Sequence, residues 1–386
     1  MATRLRLSLL LAGLLLACTW LWQQNAGAWL PRIYYPSACN QNAPEWLPAI
    51  ISLARELDYP GFQIAHQTSK GDLVLCSAGW AQTSGLLPKQ MTSQRRLRYA
   101  SLSKILTSVE AIRLVQGNRL TLATPLPSLL GLPAVSDEYV DSRIPTITLR
   151  QLLSHTAGFD RSITPDPMMA VNPWCPDDLS ALMNIHLDHT PGTHYAYSNV
   201  GYCLVGAIIA RAHDRPLSKV FEERLFTPLQ LDFIQLAPNE HLLPDEAEPH
   251  PAQEESLYQL LSIDYASAVA TGAWTGTAGD FSQLLNAYFG KAHQKLPSHI
   301  QRLLTNEQGC DTSIWRHCHG LAFYLQKTSD NQIAYWRDGS LPGVTAIAML
   351  FPDGSNLVFL ANSRPYHWID SNNRLGQALM QLSDPD

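Results

Sequence analysis

Ser101 and Lys104 stand three residues apart in Tyr99-Ala100-Ser101-Leu102-Ser103-Lys104. That spacing puts both side chains on one face of a helix. A serine at a helix start has unpaired backbone N–H groups and the positive end of the dipole beside it, and a lysine one turn on can take or stabilise its proton. Ser103 points elsewhere. Alone, the pair reads equally as an N-cap serine with a surface lysine. Tyr197-Ser198-Asn199, following Pro191-Gly192, adds a phenol that becomes a base when a nearby ammonium lowers its pKa from about 10. It also adds an asparagine able to donate to a substrate carbonyl. Together these residues can perform acyl transfer through a serine nucleophile.

The pattern along the chain must bring these segments together. Two strands, Phe62 to His66 and Asp72 to Trp80, with a turn at Ser69-Lys70-Gly71 predict a hairpin. After Ser101, apolar residues recur at helical spacing until Gly117-Asn118. Further helices are expected at Leu149 to Leu153, Val200 to Ala212, Leu217 to Arg224 and Asp280 to Tyr288. Strands return at Leu321 to Gln326, Ile333 to Trp336, Val344 to Phe351 and Leu357 to Leu360, with a turn at Pro352-Asp353-Gly354 and a closing helix from Trp368 to Leu382. Strands at both ends around a helical middle imply an α+β, mixed antiparallel sheet flanked by helices, with an all-helical region inserted. Arg161 to Thr193 and the acidic stretch Asp245 to Glu255 read as long loops that either frame a binding site or serve as solvated connections, the acidic one more readily as a solvated connection. Gly272, Gly276 and Gly279 do not have the spacing of a dinucleotide fingerprint.

Of the 386 residues 46% are hydrophobic and 16% charged, a globular composition. Lys and Arg number 27 against 33 Asp and Glu, net −6. A negative balance argues against a nucleic-acid partner. Arg4 and Arg6 precede an apolar run from Leu7 to Trp22, then Gln23-Gln24-Asn25 and Ala26-Gly27-Ala28, the order of a cleavable export signal over 1–28. The run is too short to cross a bilayer comfortably. An uncleaved anchor, or lipidation at Cys18 in Leu15-Leu16-Ala17-Cys18, are the routes to membrane association. Loss of the leader leaves net charge −8 and six cysteines, an even number that suits disulfides in a periplasmic or secreted chain. Cys310–Cys318 is the best-marked pair, with Cys39–Cys76 and Cys175–Cys203 following. His317 and His319 beside Cys318 would suit zinc but lack a second spaced ligand pair.

Between the two chemical segments lies Leu152-Leu153-Ser154-His155-Thr156-Ala157-Gly158, and later come Gly272 to Asp280 and Asp338-Gly339-Ser340-Leu341-Pro342-Gly343. In this order the segments resemble the class C β-lactamase and penicillin-binding-protein-like serine hydrolases, from about Tyr59 to Asn362. The resemblance implies one hydrolase unit over 29–386, with a sheet region at about 45–100 and 315–386 and a helical region at about 101–314. It implies Ser101 as the acylated nucleophile, Lys104 and Tyr197 sharing the proton transfers, Asn199 on the substrate amide, and a structural part for His155. Gly339 would allow close backbone approach, and the N–H groups of Ser101 and Ser340 would hold the oxyanion. Where the family has Lys-Thr-Gly or His-x-Gly this chain has Arg337-Asp338-Gly339. Arg337 would hold a substrate carboxylate or support the Tyr197 phenolate. Asp338, on the opposite strand face, either lies away from the site or repels such a carboxylate. The expected substrate is a D-amino-acid peptide, a β-lactam or an ester, with no cofactor or metal. The rival reading is a binding or sensory module that has lost turnover.

Overall fold

The computed structural model describes residues 33–84, 87–134, 136–164, 166, 173–252, 255–290 and 310–383; apart from Gly13, the expected leader lies outside them. In chain order the main elements are β1 (Ser37–Cys39), α1 (Leu47–Glu56), β2 (Gly61–Gln67), β3 (Leu73–Gln82), β4 (Lys89–Gln90) and β5 (Leu97–Arg98). There follow α2 (Ser103–Gln116), α3 (Leu126–Leu130), α4 (Leu149–Leu153), α5 (Asn199–His213), α6 (Leu217–Phe221), β6 (Gln235–Leu236), α7 (Leu257–Leu261), β7 (Trp274–Gly276) and α8 (Ala278–Phe289). The last are β8 (Cys318–His319), β9 (Tyr324–Lys327), β10 (Ile333–Leu341), β11 (Val344–Leu350), β12 (Asn356–Ala361) and α9 (Trp368–Met380).

The large sheet runs β1-β3-β2-β12-β11-β10-β9-β8, with β4 on β3, and each of its ladders is antiparallel. Strands from the two ends of the chain therefore pair at its centre, Phe62 opposite Ala361 and Ile64 opposite Phe359. Alternation along the strands divides the side chains between two cores. Phe62, Ile64, Trp336, Ile347, Met349 and Phe359 meet Leu47, Ile50 and Ala54 of α1 and Leu375 and Leu379 of α9. Ala65, Ala346, Ala348, Val358 and Leu360 face Phe281, Leu284 and Leu285 of α8 and, beyond them, the helical region. The small alanines on this second face leave room for α8 to lie close. Helix, sheet, helix is the resulting layer order, the fold expected of the chain.

Near the site, α2 is buried from Ser103 through Ile112 and ends at Gly117. It is therefore a core helix, buried all round. Helix α5 is capped by Ser198, whose side chain accepts from Gly201 N–H, and it ends on Asp214 in the left-handed region. The disulfides are Cys39–Cys76, Cys175–Cys203 and Cys310–Cys318. Cys318 is thus spent on a covalent bond, which removes it as a zinc ligand. Among the described residues no helix is long and apolar enough to cross a membrane.

Several local expectations are corrected. Strand β10 runs on to Leu341 because β11 pairs with it along its whole second half. The Leu217 to Arg224 helix stops at Phe221 and continues as a wider turn over Glu222–Phe226. The stretch 245–255 is no solvated connection: Asp245 pairs with Arg96, Glu246 with the buried Arg98, Glu248 accepts from the Thr83 and Ser84 N–H groups, and Glu255 pairs with Arg364. These four acids face cations and backbone donors carried by other parts of the fold, which periodicity does not reveal.

Candidate active site

Ser101 sits in a short 3-10 turn, Ala100–Leu102, that feeds directly into α2. Ala100 is held at φ 47°, a left-handed conformation that costs a non-glycine residue free energy and that recurs at functional turns. The close packing of β10 holds it there. A Cβ on Gly339 would lie 2.8 Å from Ser101 N and 2.9 Å from Tyr99 O, so only glycine lets this strand meet the serine's backbone. From the first turn of α2, the Lys104 side chain reaches back toward Ser101, as the three-residue spacing predicts.

The Ser101 Oγ lies 2.7 Å from the Tyr197 hydroxyl, and Lys104 Nζ lies 3.3 Å from Oγ. Lys104 also donates to the Thr271 carbonyl at 2.8 Å, just before β7. Lys104 is completely buried, and burial brings its amine down to about 8, with Arg337 adding to the effect and Tyr197 opposing it. Burial alone would raise the Tyr197 phenol, but the charges of Lys104 and Arg337 outweigh it and hold the phenol below its usual range. The hydroxyl, phenol and amine thus share one hydrogen-bonded cluster in which a proton can leave the serine.

His155 carries no part of that cluster's hydrogen bonding. Its Nδ1 accepts from Ser198 N–H at 3.2 Å, and its ring packs at a tilt against that of Tyr197 with centroids 4.5 Å apart. Burial, then the charges of His319, Arg337 and Lys104, keep it neutral. It props the tyrosine's segment, a structural part.

Arg337 does not face the open space in front of Ser101. Its side chain is buried behind the serine, with Nε on the Ser101 carbonyl at 2.9 Å and one terminal nitrogen on the Ala322 carbonyl at 2.8 Å and beside His319 at 3.2 Å. Alternation along β10 turns it into the helical face, so the carboxylate-holding role is withdrawn while its charge still bears on Tyr197. Asp338, on the opposite face, does line the cleft. Arg316 holds it in two hydrogen bonds at 2.6 and 3.0 Å, and Asn372 donates at 3.0 Å. Burial would raise this carboxyl; Arg316 overrides that and keeps it charged. Its charge is therefore neutralised in place.

Two cavities meet at Ser101. One, of about 340 Å³, is lined by Tyr197, Tyr324, Arg316, Asp338, Trp368 and Ile369 among others; the second, of about 250 Å³, by Asn199, Asp166, Glu255, Gln259, Leu341 and Pro342. Gly339 lines the first, and Ser340, Arg161 and Arg364 line both. Asn199 Nδ2 donates to Asp166 at 2.6 Å, while its Oδ1 is buried without a partner. It therefore offers an acceptor where a donor was expected. Ser101, Lys104, Tyr197, Asn199, Gly339 and Ser340 all come to this one place. Arg161, Arg316, Arg364 and Trp368 also reach it with no motif to mark them. Among the described residues no group of acids, histidines and cysteines is arranged to hold a metal ion.

The chain belongs to the beta-lactamase family, whose pattern matches residues 52–379. A relative in Dichelobacter nodosus, provisionally named fimbrial assembly protein FimD, serogroup D, is 34% identical over 337 residues, covering 83% of this chain and 80% of that one. The D-amino acid amidase of Ochrobactrum anthropi SV3, solved with L-phenylalanine amide, is 20% identical with a TM-score of 0.71, over 88% of this chain and all of that one. A beta-lactamase/D-alanine carboxypeptidase of Yersinia pestis, solved with citrate, is 17% identical with a TM-score of 0.69, over 87% and 98% of the two chains. These solved structures share the layer order described above.

Proposed function

We propose that the protein is an exported serine hydrolase that works through an acyl-serine on the amide or ester carbonyl of a small D-amino-acid-type substrate. The observation that carries this is the cluster of Ser101 Oγ, the Tyr197 hydroxyl at 2.7 Å and Lys104 Nζ at 3.3 Å. Tyr197 takes the hydroxyl proton as Oγ attacks, then returns it to the leaving nitrogen or oxygen. Lys104 stabilises the phenolate, and the two titrate as a pair. The tetrahedral oxyanion sits on the N–H groups of Ser101 and Ser340. Leu341 and Val344 close a hairpin over Pro342-Gly343, so the alternating ladder turns Ser340 N–H away from β11, which leaves it available as a donor. Asn199 Oδ1 accepts from an amide N–H of the acyl group. Water then cleaves the acyl-serine, with Tyr197 as base.

D-amino-acid substrates rank first because the amidase and the carboxypeptidase share this fold; β-lactams and short esters follow. The purified chain should label with a fluorescent penicillin or a fluorophosphonate, the Ser101→Ala variant should not, and multiple turnovers should appear on a panel of D-alanyl peptides, a chromogenic cephalosporin and nitrophenyl esters. No labelling of the folded wild type by either reagent would sink the assignment. Acylation that stops at one equivalent would support the rival binding or sensory role. The three disulfides support an oxidising compartment.

A second reading concerns the cellular role and comes from the relative named for fimbrial assembly. In this reading the hydrolysis serves assembly of surface fimbriae, and a strain carrying Ser101→Ala should lose fimbriae as a deletion strain does. Normal fimbriation in both strains would remove it.

A further inference from the structure

We infer that His319 is a positioning residue for the nucleophile, holding the Arg337 guanidinium that in turn holds the Ser101 carbonyl and brings its charge to Tyr197; the inference rests on the hydrolase reading above. His319 is the second residue of β8, at the outer end of the large sheet, and Cys318 before it is bonded to Cys310. A very short strand is thus tied down covalently. The imidazole is 5% exposed, lines neither cavity that meets at Ser101, and packs against the rings of His155, Tyr195 and Tyr324 with centroids 5.0, 5.2 and 4.9 Å away. It offers a substrate almost no surface.

Arg337 has three acceptors around its guanidinium: the Ser101 carbonyl at 2.9 Å from Nε, and the Ala322 carbonyl at 2.8 Å and His319 Nε2 at 3.2 Å from one terminal nitrogen. Two of these belong to the backbone, so the imidazole is the one side chain among them. A guanidinium can only donate, which makes Nε2 the acceptor and puts the ring proton on Nδ1. A second ring proton would set N–H against N–H. Burial, then the Arg337 charge, keeps the ring neutral, and of the titratable groups facing it, Arg337, His155, Tyr195 and Tyr324, none is a carboxylate that would hold a second proton. The acceptor therefore persists through the neutral range. The same guanidinium lies 5.8 Å from the centre of the Tyr197 ring and lowers both Lys104 and Tyr197, a pair otherwise faced by Arg161, Asp166 and His155. Without His319, a rigid fork held at three points would be held at two.

His319→Phe keeps a flat ring and removes the acceptor, whereas His319→Gln keeps an acceptor near the place of Nε2. In His319→Phe kcat should fall about 10- to 100-fold, the cost of slightly misplacing a reacting group, with KM changed much less. The rising limb of kcat/KM against pH should move up by about half a pH unit or more, because the charge that lowers the Lys104 and Tyr197 pair is no longer held against it. His319→Gln should keep most of the activity and the wild-type limb. In the Arg337→Gln background, His319→Phe should move the limb no further. A limb that stays or falls in His319→Phe, or that rises equally with and without Arg337, overturns the inference even in an active hydrolase, since a ring that only fills space would lower stability and leave the limb alone. Nuclear magnetic resonance of isotope-labelled histidines in the wild-type chain needs neither turnover nor a variant. The His319 ring, assigned through its backbone, should carry its proton on Nδ1 and show Nε2 as a hydrogen-bonded acceptor at neutral pH. That result supports the hold on Arg337 even if no hydrolysis is ever found; a proton on Nε2, or on both nitrogens, overturns it.

Discussion

A lysine with no exposed surface, a phenol against it and an arginine behind both surround Ser101 with positive charge. The acid side of the pH profile should report this. Hydrolysis should rise with pH as the Lys104 and Tyr197 pair loses a proton, since the phenolate is the proposed base. Arg337 lowers both members of the pair. Replacing it by glutamine removes that charge, so the rising limb of kcat/KM against pH should move to higher pH; an unmoved or lowered limb would show that its charge does not reach the pair. Tyr197→Phe should lower kcat/KM by about 10²–10⁴-fold, the range for losing a positioned general base, with KM changed much less. At this scale the residue types were legible from spacing, because Ser101, Lys104 and Asn199 are set by short runs at helix starts. Arg161 and Arg364 were not, since each stands alone in a loop and only folding brings it to the serine. Of the two roles offered for Arg337, support of the Tyr197 phenolate agrees with the structure; the carboxylate role does not, because strand alternation says that a side chain faces one layer but not which layer holds the cleft.

The site is assembled where ends of elements meet: the start of α2, the start of α5, the turn before β7 and the unpaired edge of β10. Gly339 on that edge is the tightest of these contacts. Gly339→Ala would push a methyl group into the backbone of Ser101 and Tyr99, and the strand must shift to admit it. We expect a loss of about 1–3 kcal/mol in unfolding free energy, the usual result of overpacking. Labelling of Ser101 should fall far more than that stability loss explains. Near-normal labelling would mean the strand can retreat without disturbing the serine. Hairpin β2–β3, helix α2 and strands β11 and β12 were readable to within a few residues, since each carries its period and its own stop signal. Helix α1 was missed: Leu47-Pro48 opens it without a capping side chain. The small sheet of β5, β7 and β6 escaped for another reason, its members being two or three residues long and far apart in the chain.

On the scale of the whole molecule, the Cys175–Cys203 bond ties the 173–184 segment to α5, the helix that begins with Asn199. Closing a loop with a sequence separation of 28 constrains the unfolded chain by about 3–4 kcal/mol on the entropic account. Replacing both cysteines by alanine should lower stability by about that amount and raise KM more than it lowers kcat, because the helix start bearing Asn199 loses its tether. Unchanged denaturant midpoints would show the bond to be dispensable. The pairing of the two chain ends was legible as an order of strands around a helical middle, whereas which strand neighbours which became clear only in three dimensions. The pairing carries a consequence for synthesis. Ser101 is made early, yet the glycine against its backbone and the arginine on its carbonyl come from a strand more than 230 positions later. A nascent chain thus holds a serine, a lysine and a tyrosine with no wall to press them together. On the hydrolase reading, polypeptides that lack the last third should therefore stay inert toward acylating agents.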